Sequence, residues 1–167
     1  MLDHGHRRIA LIGPLKNDES IGRLRQEGYC KALADSGIEV DQDLICYMKE
    51  ELYTYTMENG YAMTKELLES GTDFTAVYAM SDRMAVGVCK AIFDSGKRIP
   101  EDYSVVGFDG LDLSQFYNPT ITTLRQPLEE MAEATIHMLF DVMRKKSGNR
   151  HVVFEGELIE GQSVRKI

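Results

Sequence analysis

Ala76 to Phe108, AVYAMSDRMAVGVCKAIFDSGKRIPEDYSVVGF, reads as strand, helix, strand. Ala76 to Met80 (AVYAM) and Ser104 to Phe108 (SVVGF) are short apolar runs without polar alternation, the pattern of parallel strands buried on both faces. Between them, Arg83 to Phe93 repeats its apolar residues at helical spacing and stops at Ser95-Gly96. Such a unit predicts a right-handed crossover between two parallel strands of one sheet.

The same alternation extends in both directions. Upstream, Arg8 to Gly13 (RIALIG) is an apolar run ending in Gly-Pro. Arg23 to Ser36 (RLRQEGYCKALADS) follows as a helix, with Leu24, Tyr29 and Leu33 near helical spacing and Gly37 as its C-cap. Leu44 to Met48 is the next apolar run, and Asn59 to Glu69 the next helix, ended by Ser70-Gly71. Four strands separated by three amphipathic helices predict an α/β fold, a doubly wound parallel sheet with helices on both faces. In such sheets ligands bind beyond the carboxyl ends of the strands, so the loops after Gly13, Met48, Met80 and Phe108 form the candidate rim. After Asn118-Pro119 the pattern changes to β-branched Thr120 to Arg125 (TITTLR) and then the longest helical stretch, Leu128 to Lys146. The Met-rich apolar stripe of that helix reads as core packing. Val152 to Ile159 reads as a last strand.

Composition bounds the function. The 167 residues carry a formal net charge of -8, which argues against this stretch gripping a polyanion, because nucleic-acid affinity rests on Lys and Arg at phosphates. Cys30, Cys46 and Cys89 are an odd number without CxxC spacing, which fits reduced cytosolic thiols better than a disulfide framework or a zinc site. No apolar run approaches the roughly 20 residues of a membrane span, and the N-terminus lacks a signal-peptide core. The expectation is a cytoplasmic protein without a membrane partner. His4 and His6 lack a third ligand and read as solvated residues, so neither a metal nor a cofactor is expected. GxSxG, GxGxxG, GxxxxGK[ST] and HExxH are all absent, which leaves an enzyme without support.

Several strings resemble the LacI/GalR family of transcriptional repressors: GHRRIALIGP, RLRQEGYCKAL, AMSDRMAVGV, IPEDYSVVGFDG and NPTITTLRQPLEEM. They occur in family order and spacing over nearly the whole chain. The resemblance implies a periplasmic-binding-protein-like fold of type I, present here as one complete lobe plus a partial second lobe. Residues 1–119 and 150–167 would form the C-terminal effector-binding lobe, and residues 120–149 would be a crossover strand and helix belonging to the N-terminal lobe. It implies a small-molecule effector held between the lobes, a homodimer, and operator DNA contacted only through a headpiece that this sequence does not contain.

Four positions match family effector contacts. Arg25 corresponds to an arginine that fixes ligand hydroxyls or a carboxylate, which suits the rigid donor fork of a guanidinium. Asp109 matches a carboxylate accepting from sugar hydroxyls or a purine. Tyr55 matches the aromatic that stacks on the ligand, although Tyr53 is almost as well placed. Ser81 stands where the family usually has Asn, and Gly110 replaces a frequent second Asp; both departures bear on the polar readout. Read without the family, Arg25 is a solvated helix residue and Asp109 a turn residue capping Leu111 onward. Val86, Phe116 and Tyr117 match the family's dimer interface, while burial within the lobe would account for them equally. The effector is expected to be sugar-like, with a purine open. The competing reading is a sugar-binding protein of a transport system, which shares the sheet and the VGFDG string.

Overall fold

A computed structural model describes residues 1–16, 19, 21–48, 55–144 and 151–167. The expected Tyr53 and the helix end at Lys145 and Lys146 lie outside the described residues.

The elements run β1 (Ile9–Ile12), α1 (Ile21–Asp35), β2 (Ile45–Cys46), α2 (Met57–Glu69), β3 (Ala76–Ala79), α3 (Asp82–Asp94), β4 (Ser104–Asp109), α4 (Asp112–Phe116), β5 (Thr122–Arg125), α5 (Leu128–Met143) and β6 (Glu157–Ile159). One sheet of six strands takes the order β2-β1-β3-β4-β5-β6. All neighbours are parallel except β6, which runs antiparallel to β5. The order reverses between β1 and β3, and there the loops after adjacent strands diverge to opposite faces and open a crevice.

The alternation of strand side chains divides the core in two. Ala10, Ile12, Val77, Ala79 and Val105 pack with Leu67 of α2 and with Met84, Val88 and Ile92 of α3. Ile9, Leu11 and Ala76 face Tyr29 and Leu33 of α1 on the other side. Helices α2 and α3 approach closely because Gly60 and Gly87 lack side chains: a Cβ on Gly87 would overlap the Met57 carbonyl, and one on Gly60 the Met84 carbonyl.

Five expectations are corrected. Leu24 is exposed, because the inward stripe of α1 runs through Gly22, Tyr29 and Leu33. The second strand is shorter than Leu44 to Met48, since Gln42–Leu44 form a 3-10 turn in which Asp43 N–H is capped by the Asp41 side chain. Strand β5 is hydrogen-bonded to β4 in register Val106 with Thr122 and Asp109 with Arg125, so it belongs to this sheet and the chain departs only after Arg125. Helix α5 buries none of its residues, and Ile136, Leu139 and Phe140 of its apolar stripe are exposed. Its stripe therefore has no core within this lobe to pack on. His6 is likewise not solvated. It is fully buried, its Nδ1 paired with Thr75 Oγ1 at 2.8 Å and its Nε2 with the Arg165 carbonyl at 3.1 Å.

Candidate functional site

Arg25 leaves α1 on the inward side, one turn before Tyr29, so a cation projects over the strand ends where a core residue would otherwise sit. Its guanidinium stacks 4.0 Å from the centre of the Phe108 ring. Nη1 donates to the Met80 carbonyl just past β3, and Nη2 lies 3.0 Å from Oδ1 of Asp109 at the end of β4. Nε is buried and makes no hydrogen bond among the described residues. The side chains of this pair are 9% and 23% exposed. Residues 84 apart in sequence thus meet at the carboxyl edge of the sheet, as expected for a binding rim and not for a solvated helix arginine.

Asp109 is held by more than Arg25. Gln126 Nε2 donates to the same Oδ1 at 2.8 Å, leaving Oδ2 without a donor among the described residues. The backbone of Asp109 has φ 123°, the only positive value at a non-glycine among the described residues. Gly110 follows at φ 74°, where any Cβ would run into Arg125. The turn is pinned by Gly110 N–H to Thr123 Oγ1 at 3.2 Å, by Gln126 N–H to the Asp109 carbonyl at 3.2 Å, and by Leu111 N–H to Asp82 Oδ2 at 2.7 Å. Asp109 does not cap α4, whose N-cap position, Leu111, has no side-chain cap bond. Burial pushes the Asp109 carboxyl above the usual carboxylate range; Asp82 adds to the rise, and Arg25 and Gln126 only partly offset it.

The structure also places the other residues singled out from sequence. Ser81 is buried and its Oγ accepts from Met84 N–H at 3.2 Å, so it is the N-cap of α3. Tyr55 is half-buried and packs against both cores. It also acts electrostatically on Tyr78, whose hydroxyl burial raises to a pKa of about 12 in the field of Arg25 and Asp109. Val86 lines a groove of about 340 Å³ with Met57, Tyr61 and Lys90 on the outer side of α2 and α3. Phe116 is 89% exposed, whereas Tyr117 leans on the core beneath α3. A second groove of about 670 Å³ is lined among others by Lys16, Arg23, Gln26 and Tyr47, and Asp109 is not among its lining residues. Gln126, Phe108, Tyr78 and Asp82 belong to the Arg25 cluster and were not singled out from sequence. Gln126 stood inside the LRQP string, and Arg25 four residues before Tyr29 was readable as an inward position.

The arrangement offers one carboxylate oxygen without a donor among the described residues, guanidinium N–H groups beyond the two used by Met80 and Asp109, and flanking aromatic surface. That set can accept from and donate to a small polyhydroxylated or heteroaromatic molecule. It holds no paired nucleophile and base, and no group of three metal-ligating side chains occurs among the described residues.

The profile of the periplasmic binding protein-like domain family matches residues 1–164. The chain belongs to this family. HTH-type transcriptional regulator MalR of Clostridium butyricum is 40% identical over 147 residues, which is 88% of this chain and 42% of that protein. HTH-type transcriptional repressor PurR of Pasteurella multocida is 33% identical over 167 residues, 99% of this chain and 48% of that protein. Among solved structures, a transcriptional regulator CelR-cellobiose complex superposes with a TM-score of 0.87 at 33% identity, covering 97% of this chain and 48% of that one. The chain spans about half the length of the curated relatives it matches. These relatives are LacI-family regulators of transcription.

Proposed function

We propose that this chain is the effector-sensing and dimerisation region of a LacI-type DNA-binding regulator, which takes a sugar-like ligand between two lobes to control operator binding. The observation that carries the reading is the convergence of Arg25 and Asp109, from α1 and β4, at one rim of the sheet. A ligand that donates to Asp109 Oδ2 gains a charge-assisted hydrogen bond of about 1.5 to 3 kcal/mol. That differential is enough to shift an equilibrium between two lobe arrangements. In this reading residues 1–125 and 150–167 are the second lobe, and the segment from Gln126 through α5 reaches the first, which would cover the bare stripe of α5. Val86, Phe116 and Tyr117 lie in the dimer contact, and operator DNA is gripped by a headpiece outside this acidic chain. Cellobiose bound to the structurally similar CelR favours a sugar over a purine.

The test is a thermal-shift panel of cellobiose, ribose and hypoxanthine on the full-length protein. Ligand at a hundred times its Kd stabilises by about 2.7 kcal/mol, a rise in Tm of about 8 °C for a domain of this size. The expected result is such a rise with a sugar, lost in Arg25→Ala and Asp109→Asn. Equal shifts in wild type and variants remove the pair from the site, and a rise with hypoxanthine alone replaces the sugar with a purine.

A further inference from the structure

Asp82 opens α3 with a fully buried carboxylate. An acid in a first helical turn is favoured by the helix dipole, but that does not account for where this one points. Oδ2 accepts from Leu111 N–H at 2.7 Å, reaching out of α3 to the turn that follows β4. Oδ1 is buried without any hydrogen-bond partner among the described residues, and it lies where a Cβ on Gly107 would be. Leaving a buried polar atom unpaired costs about 1 to 3 kcal/mol, so the carboxylate sits here at the expense of one of its oxygens.

The turn it reaches is the one that needs holding. Asp109 at φ 123° occupies a region that side-chain-bearing residues rarely adopt, and such conformations persist only where their surroundings over-determine them. Two of the bonds that pin residues 109 to 111 come from β5 and its exit, through Thr123 and Gln126. The third comes from Asp82, and among the described residues it is the one hydrogen bond that ties the turn to α3. We propose that Asp82 is a positioning residue: it clamps the turn after β4 to the start of α3 and so aims the Asp109 carboxylate at Arg25 and the ligand rim. Gly107 is its complement, keeping open the space the carboxylate fills. The inference rests on the reading of Asp109 as a ligand contact, but the geometry it asserts is measurable without ligand.

The experiment uses the full chain labelled at Asp and Arg, and compares Asp82→Asn, Asp82→Ala and Gly107→Ala with wild type. The readouts are the Arg25 guanidinium NMR signals and the titration of the Asp109 carboxyl carbon. Asparagine keeps an acceptor for Leu111 N–H, so Arg25 keeps its wild-type signals while the Asp109 midpoint falls, because the neighbouring carboxylate no longer opposes its ionisation. Alanine breaks the clamp, and the Arg25 signals move to free, rapidly exchanging values. Gly107→Ala reproduces the alanine pattern with Asp82 intact. A sugar that binds wild type loses about tenfold affinity in Asp82→Ala and stays within about twofold in Asp82→Asn, where tenfold corresponds to about 1.4 kcal/mol. The proposal is overturned if Asp82→Ala leaves Arg25 and Asp109 signals unchanged, or if Asp82→Asn loses the Arg25 signature as alanine does. Should Asp82→Ala fail to fold, Gly107→Ala and the Asp109 midpoint in Asp82→Asn decide. If no panel compound binds wild type, the effector reading falls while the carboxyl titration still judges the clamp.

Discussion

Replacing Arg25 by alanine removes the Asp109 pair at 3.0 Å, the bond to the Met80 carbonyl and the stacking on Phe108 together. Removing one partner of a buried ion pair costs about 3 to 5 kcal/mol, because the other charge is left desolvated. Asp109 is 23% exposed and retains Gln126 on its Oδ1, which puts the cost at the lower end. The expected loss near neutral pH is about 3 kcal/mol, equivalent to about 9 °C in Tm at roughly 3 °C per kcal/mol. The deficit depends on pH. Arg25 is one of the groups holding the Asp109 pKa down, so without it that pKa rises further above the unfolded value. Once Asp109 is protonated in both proteins the pair no longer contributes, so the gap between wild type and variant narrows as the pH falls through the carboxylate range. Urea unfolding of both proteins at neutral pH and at about pH 4, near the ordinary carboxylate pKa, checks this. A loss under about 1 kcal/mol, the usual scale for an exposed pair, or a deficit that does not change with pH, would refute the reasoning.

Burial holds the His6 pKa below its ordinary 6.5, so the folded chain binds its proton less readily than the unfolded one. Stability from this residue is therefore present above pH 6.5 and is lost as the pH falls through and below that value. In a urea-midpoint profile the acid-side decline is shallower in His6→Gln, which also costs about 2 kcal/mol at neutral pH for the displaced bonds to Thr75 and Arg165. Gly87→Ala forces a methyl into the Met57 carbonyl and is expected to cost about 3 kcal/mol in calorimetric unfolding, the upper range for overpacking. Phe116→Ser leaves the Tm of the lobe within a few degrees, since the ring is exposed, yet weakens the dimer about tenfold by sedimentation equilibrium. An unchanged association constant removes Phe116 from the dimer contact.

The strands were legible because RIALIG, AVYAM and SVVGF are apolar on both faces, which only a sheet covered from two sides requires. Their order was not, since pairing depends on which helix crosses which face. The helix at Leu128 shows the same division: its stripe was visible in the sequence, but amphipathicity does not state whether the covering surface belongs to the same lobe. His6 was misread because nothing local reveals that Thr75 and the Arg165 carbonyl, 69 and 159 residues away, close around it. At the site, Arg25 and Asp109 were found through their strings and through the rule that ligands gather at strand ends. Gln126 and Asp82 escaped because their significance is purely tertiary: each matters for the atom of the 109–111 turn that it holds, and no spacing encodes that.

The bare helix from Leu128 to Met143 bears on how any work with this polypeptide is handled. A greasy ribbon of four turns standing in water is adhesive, so concentration-dependent light scattering or dye uptake would report that ribbon as readily as the outer side of α3. Measurements of self-association become interpretable once Leu139 and Phe140 are made polar, which silences the ribbon and leaves any contact through Phe116 to be counted alone.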